Sequence, residues 1–356
     1  MYVSERGKRL SNRPQSRKGE SVNAADGATG NERRAEARTG LVYDEAYLEH
    51  RTGSGHPETS ARLQVMMDHL EEEELLSRLH PIEPRPASEE CITAIHSPEY
   101  VREVEQTCSR GNTCLHSLDT RVCSRSFEVA LLAAGGVMAA VDAVIGDEVD
   151  NCFCAVRPPG HHATADRAMG FCLFNNVAIA TRYAQREHDA SRVLIIDWDT
   201  HHGNGTQDAF YDDDSVLYCS IHQAPFYPGT GAESETGEGD GEGYTVNVPL
   251  PAGAGDEKYL EIFEQRLKPR ALEFRPDVVF VSAGFDTHRD DTIGGMQVSE
   301  QGYARMTEIV MDIARQCCGG KVISVLEGGY GLEGQAKSAA AHLRALKGNG
   351  GGFRPR

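Results

Sequence analysis

Four short stretches of the chain carry residue types suited to hydrolytic chemistry. In Asp197-Trp-Asp199-Thr-His201-His202-Gly203-Asn204-Gly205, Asp199 and His201 are two residues apart. Residues two apart on an extended segment share a face. A carboxylate and an imidazole so placed suit a divalent metal such as zinc. Asp197 shares that face, and the glycines let the backbone approach closely. In Ser282-Ala-Gly284-Phe-Asp286-Thr-His288, Asp286 is either a helix N-cap or a third ligand. As a ligand it completes an Asp₂His set that leaves a position open for water or substrate. In Arg157-Pro-Pro-Gly160-His161-His162-Ala, the tandem histidines read as a second metal site, a base with an electrostatic partner, or a solvated loop pair. Asp197 is suited to orient an imidazole by accepting its second N–H. In Glu327-Gly-Gly-Tyr330-Gly, the tyrosine is either packed in a turn or aimed at a carbonyl that becomes an oxyanion. Together these are the parts for metal-assisted amide hydrolysis.

Each stretch follows a short apolar run. The runs Leu41–Tyr43, Cys152–Val156, Val193–Ile196, Val216–Ser220, Val278–Val281 and Val322–Leu326 read as buried parallel strands. Between them Ala61–Leu76, Phe127–Ile145, Phe174–Glu187, Lys258–Phe274, Glu300–Gln316 and Leu332–Leu346 read as helices. This alternation predicts one α/β domain over residues 40–347, with a single mainly parallel sheet and helices on both faces. Ligands of such folds bind beyond the carboxyl ends of the strands, where these residues occur. Residues 1–39 have almost no large apolar side chains and predict a disordered basic tail. Residues 348–356 predict a flexible C-terminus.

The chain has 356 residues, 36 Lys+Arg against 54 Asp+Glu, and a net charge of −18. Residues 1–40 hold nine basic and five acidic groups, so residues 41–356 hold 27 and 49, a balance of −22. That sign excludes a general nucleic-acid binder. It fits cationic substrates, or simply solubility. The longest apolar run, Val129–Val141, is too short to span a membrane and contains Gly135 and Gly136, so it reads as a core helix. The polar N-terminal residues lack an apolar stretch, so no secretory signal is expected. Ten cysteines without C-x-x-C pairs suggest free thiols in the cytoplasm.

The motifs R-P-P-G-H-H, G-F-C-L-F-N-N, D-W-D-T-H-H-G-N-G-T-Q, S-A-G-F-D and L-E-G-G-Y, over roughly residues 41–346, resemble the zinc-dependent histone deacetylase superfamily. That group includes acetylpolyamine amidohydrolases and acetoin-utilisation proteins, and the match is to the class II form. The resemblance implies the arginase/deacetylase fold. It implies one zinc on Asp199, His201 and Asp286, with His162 as general base and then acid. His161 is its electrostatic partner, and Tyr330 polarises the acyl carbonyl. Asp197 matches the carboxylate behind His161. Asn204 stands behind His162, where class I members have a second Asp.

The resemblance also implies structural potassium at Asp197, Asp199, His201, Ser220 and Ile221, with a second site at Phe210, Asp213, Val216 and Tyr244. Gly170, Phe171 and Tyr227 match the acyl-lysine channel. Arg62, in His56-Pro57-Glu58-Thr-Ser-Ala-Arg62, matches the arginine of the inner acetate-release pocket. Ile293 is the apolar residue that gates the channel, where a carboxylate would favour polyamines. The expected substrate is an Nε-acetyl-lysine peptide or protein. Acetylpolyamines, a binuclear manganese ureohydrolase and a non-enzymatic acyl-lysine reader or corepressor scaffold stay open as alternatives. A homo-oligomer is also open, and no membrane partner is expected.

Overall fold

The computed structural model describes residues 37–348. Ten strands are described: β1 (Thr39–Val42), β2 (His80–Ile82), β3 (Cys114–Leu115), β4 (Ser117–Arg121), β5 (Asn151–Cys154), β6 (Val193–Asp197), β7 (Val216–Gln223), β8 (Thr245–Leu250), β9 (Val278–Ala283) and β10 (Val322–Leu326). The helices are α1 (Ala61–Glu72), α2 (Glu89–Ile92), α3 (Pro98–Ser109), α4 (Ser126–Ile145), α5 (Asn176–His188), α6 (Asn204–Ala209), α7 (Asp256–Ile262), α8 (Lys268–Phe274), α9 (Glu300–Cys318) and α10 (Leu332–Leu346).

Eight strands form one sheet in the order β2-β1-β5-β10-β9-β6-β7-β8, and every pairing in it is parallel. A parallel sheet must be covered on both faces. Here α1, α10, α9 and the α7–α8 pair lie side by side on one face, with α4 and α5 on the other. The central strands β5, β6, β9 and β10 are wholly buried. This is the single-sheet α/β architecture that the alternating pattern predicts.

The order places β5, β10, β9 and β6 next to one another, and their C-terminal ends are level. Cys154 pairs with Val325, Leu326 with Ala283, and Asp197 with Ser282. Adjacent strands lie about 4.8 Å apart. The four motif loops therefore emerge side by side along the middle of the sheet.

Several expectations need correction. The edge strands β2 and β8, the β3–β4 hairpin and helices α2, α3 and α6 were not expected. Helix α5 starts at Asn176 rather than Phe174, because the Asn175 side chain accepts the Ala178 N–H at 3.0 Å and caps it. The helix expected over 258–274 is broken by a π turn at Phe263–Leu267, just before Pro269, which has no N–H to donate. Helix α4 is long and apolar enough to cross a membrane by composition. It packs instead against the sheet and α5, as expected of a core helix.

Residues 37–39, assigned to the tail on sequence, are bonded into the domain. Ala37 N–H donates to the Lys347 carbonyl at 3.0 Å, and Arg38 N–H to Asp150 at 2.7 Å. The rest of the expected tail, 1–36, lies outside the described residues, as do 349–356 of the expected C-terminal segment.

Candidate active site

The three expected metal ligands converge after β6 and β9. Asp199, His201 and Asp286 are buried, and their ligand atoms lie within 4.8 Å of one another. Backbone donors aim the carboxylates. Asp199 Oδ2 accepts Gly328 N–H at 2.8 Å, its Oδ1 accepts His201 N–H at 2.9 Å, and Asp286 Oδ1 accepts Thr200 N–H at 2.8 Å. His201 Nδ1 lies 3.0 Å from Asp199 Oδ1 and 3.2 Å from Asp286 Oδ2. The second contact is an ion pair without hydrogen-bond alignment, so Asp286 Oδ2 is buried with no hydrogen-bond partner among the described residues. Burial, then the Asp199 charge, pushes the Asp286 carboxyl up to about 8. Two buried carboxylates and one orphaned oxygen fit a divalent cation. Gly284 and Gly328 make room for them, since a methyl on either would collide with a carboxylate oxygen of Asp199 or Asp286.

The tandem histidines after β5 face this cluster. His161 Nδ1 lies 3.0 Å from Asp197 Oδ2, and His162 Nδ1 lies 2.8 Å from Asn204 Oδ1. Their rings are 4.1 Å apart between centroids, and His162 is 5.7 Å from the His201 ring. Burial opposes the charged form of both. At His161 the Asp197 and Asp199 charges outweigh it and push the imidazole up to about 10. At His162 burial is joined by the neighbouring imidazoles, and the group is held well below its ordinary 6.5. The two imidazoles are thus biased in opposite directions: the neighbouring carboxylates favour the charged form of His161, and burial disfavours that of His162. Asp197 is raised by burial and pulled back by His161.

Tyr330 follows β10. Its N–H and that of Gly331 donate to Asp291 Oδ2 at 2.6 and 3.0 Å, while Ile293 and Gly294 donate to Asp291 Oδ1 at 2.8 and 2.9 Å. One carboxylate therefore ties the Ile293 turn to the tyrosine loop. Asp291→Ala should lower kcat about 10- to 100-fold with little change in KM, because a displacement of about 1 Å at a reacting group costs that much. Steady-state kinetics checks this, and unchanged kcat would refute it.

Phe171 packs edge-on against Tyr330 at 5.7 Å, and Tyr227 against His162 at 5.1 Å. Gly170 has φ +55 and lies against the His162 ring. Phe226, which the sequence did not single out, stacks on His201 at 5.0 Å.

Arg62, matched on sequence to an inner pocket, lies against Tyr330. It is fully buried, 5.0 Å from the Tyr330 ring centroid, and donates to the Gly329 carbonyl at 2.6 Å and to Glu58 at 3.1 Å. Among the potassium candidates, Ser220 Oγ lies 2.9 Å from His222 Nδ1, and Asp197 Oδ1 accepts Asp199 N–H at 3.1 Å. The set of Phe210, Asp213, Val216 and Tyr244 lies apart from the metal cluster. The Asp213 carboxylate is already bonded to Arg182 and Ser215, which leaves that set its main-chain oxygens for a cation.

A buried ion cluster supports the histidine loop. Arg157 donates Nε and Nη2 to the two oxygens of Glu58, both at 2.6 Å, and reaches the Tyr47 carbonyl at 2.9 Å. Glu58→Ala would leave two buried guanidiniums without their carboxylate and should cost about 3–5 kcal/mol of stability, measurable by urea unfolding. Burial opposes ionisation of Glu58, but Arg157 and Arg62 hold it far below its ordinary 4.5. Its contribution is complete above that value and is lost as pH falls toward the folded one. His50, lowered from 6.5 to about 4 mainly by burial, acts in the same direction between those values. Stability should therefore decline as pH drops below 6.5. A pH series of melting temperatures that rises on acidification would contradict this.

Residues 56–346 match the histone deacetylase domain, and the chain belongs to that family. A probable deacetylase of Archaeoglobus fulgidus is 44% identical over 298 residues, covering 83% of this chain and 82% of that protein. The polyamine deacetylase HDAC10 of Mus musculus is 39% identical over 326 residues, 87% of this chain and 48% of that protein. The crystal structure of the HDA15 HD domain superposes with a TM-score of 0.84 at 41% identity, covering 88% of each chain. The fold is that of a histone deacetylase domain, and the protein is a hydrolytic deacetylase.

Proposed function

We propose that the protein is a zinc-dependent deacetylase that hydrolyses the amide of Nε-acetyl-lysine in peptides or proteins and releases acetate. The observation that carries this reading is the convergence of Asp199, His201 and Asp286 beside the tandem histidines, each imidazole held by its own acceptor, Asp197 and Asn204. Zinc held by these three residues would polarise the acyl carbonyl and acidify a water molecule.

The chain's own groups do the rest. Asn204 Oδ1 accepts a hydrogen bond from His162 Nδ1–H and leaves Nε2 as the base that takes a proton from the attacking water. His161, whose charged form Asp197 favours, makes the resulting His162 imidazolium a readier acid. The tetrahedral oxyanion accepts a hydrogen bond from the Tyr330 hydroxyl. As the C–N bond breaks, Nε2 returns its proton to the leaving lysine amine. Structural potassium at the main-chain and carboxylate oxygens around Asp197 and Ser220 is part of the same reading.

The competing substrate is an acetylpolyamine, favoured by the similarity to a polyamine deacetylase and by the −22 balance of residues 41–356. The apolar Ile293 favours acetyl-lysine, since it offers a polyamine no anion. Side-by-side turnover of acetyl-lysine peptides and acetylpolyamines by the zinc-loaded chain tests this. A kcat/KM at least about tenfold higher for the peptides is expected, and the reverse order would overturn the reading.

A further inference from the structure

The proposed reaction engages only the acylated side chain, so the surface beside the channel decides which polypeptides present it. A groove of about 320 Å³ lies between the loop 52–57 and the β3–β4 hairpin, which contributes Leu118 and Arg121. It adjoins the channel at His56. The His56 ring stands edge-on to Phe171 at 4.8 Å, and its Nε2 lies 2.8 Å from the Asp119 carbonyl.

The lining has a definite chemistry. Leu118 is 79% exposed, and it and Tyr227 are the exposed large hydrophobic residues among those described. Such side chains beside a site mark a contact surface. The Arg121 side chain has no hydrogen-bond or ion-pair partner among the described residues, although the residue is half-buried. Asp119, in the same strand as Arg121, accepts the hydroxyls of Ser117 and Thr120 and does not pair with Arg121. The Arg121 guanidinium thus lines the groove without an ion pair among the described residues. Guanidinium recognises carboxylate in a two-pronged geometry.

We propose that this groove is a specificity subsite that takes an acidic residue on Arg121, and an apolar neighbour on Leu118, within about two residues of the acyl-lysine. The inference rests on the acetyl-lysine reading and narrows it to acidic rather than Lys-rich sequences. It opposes the sign of the whole-body charge. That charge acts at long range and is screened over about 8 Å at physiological salt, whereas contact at Arg121 is local.

The test uses the full zinc-loaded chain and two peptides with the same acetyl-lysine core, one flanked by Glu-Leu and one by Lys-Leu. The Glu-Leu peptide should have a kcat/KM about three- to fivefold higher, the size of an exposed ion pair. The ratio should approach one in Arg121→Gln, invert in Arg121→Glu, and shrink as salt rises. The same ratio in the wild type and in Arg121→Glu would overturn the subsite while leaving acetyl-lysine as substrate. Turnover of neither peptide, with acetylpolyamine consumed, would overturn the acetyl-lysine reading itself.

Discussion

Tyr330→Phe should lower kcat/KM by about 10²–10³, the cost of removing one oxyanion donor, and leave the bound metal unchanged. The phenol is 9% exposed. Burial drives its pKa well above the ordinary 10.0, so the hydroxyl keeps its proton and remains a donor at working pH. Phenylalanine preserves the ring that meets Phe171 and the Arg62 guanidinium. The main-chain bond to Asp291 is also kept. Only the donor is removed. The tyrosine is outside the ligand set, so metal content by elemental analysis should stay at one equivalent. Turnover near the wild-type rate would remove the phenol from the mechanism.

Asp199→Ala should weaken metal binding by more than about 100-fold, beyond what losing a supporting residue costs, and abolish turnover with it. The substitution removes one of three ligands. It also strips the acceptor from Gly328 N–H and His201 N–H. His201 Nδ1 would lose the carboxylate oxygen that lies 3.0 Å away. One imidazole and one buried carboxylate leave two ligands where a catalytic zinc takes three. Stoichiometric zinc after dialysis of the variant would refute the ligand role of Asp199.

Much of this was readable because the parallel sheet writes a simple code. A buried central strand is an apolar run, and the chemistry begins where the run ends, as at Asp197 and Ala283. The edges of the sheet follow another rule. Strands β2 and β8 contain Pro81 and Pro249, which edge positions tolerate and central ones do not. Their apolar signal is accordingly weak. Helix α3 carried its own start signal in Ser97-Pro98-Glu99, with Ser97 accepting the Tyr100 N–H at 3.2 Å. The supporting groups were the hardest to see. Glu58, Arg157 and Asp291 are charged residues of loops and turns, and charge in sequence normally means exposure. Only the fold shows that Glu58 and Arg157 are fully buried and that Asp291 accepts four main-chain N–H groups.

The position of β10 has a consequence for how the chain is made. The last strand of the sheet to be synthesised, Val322–Leu326, fills the gap between β5 and β9 at its centre. Until it leaves the ribosome, the three strands β2-β1-β5 and the four strands β9-β6-β7-β8 are separate half-sheets with open edges toward each other. Open edges invite pairing with other chains, and the closing contacts join Asn151 to Val322 across most of the domain. Folding should therefore be late and strongly cooperative. Nascent chains stalled before residue 322 should be protease-sensitive, with the Asp199–His201–Asp286 cluster still exposed.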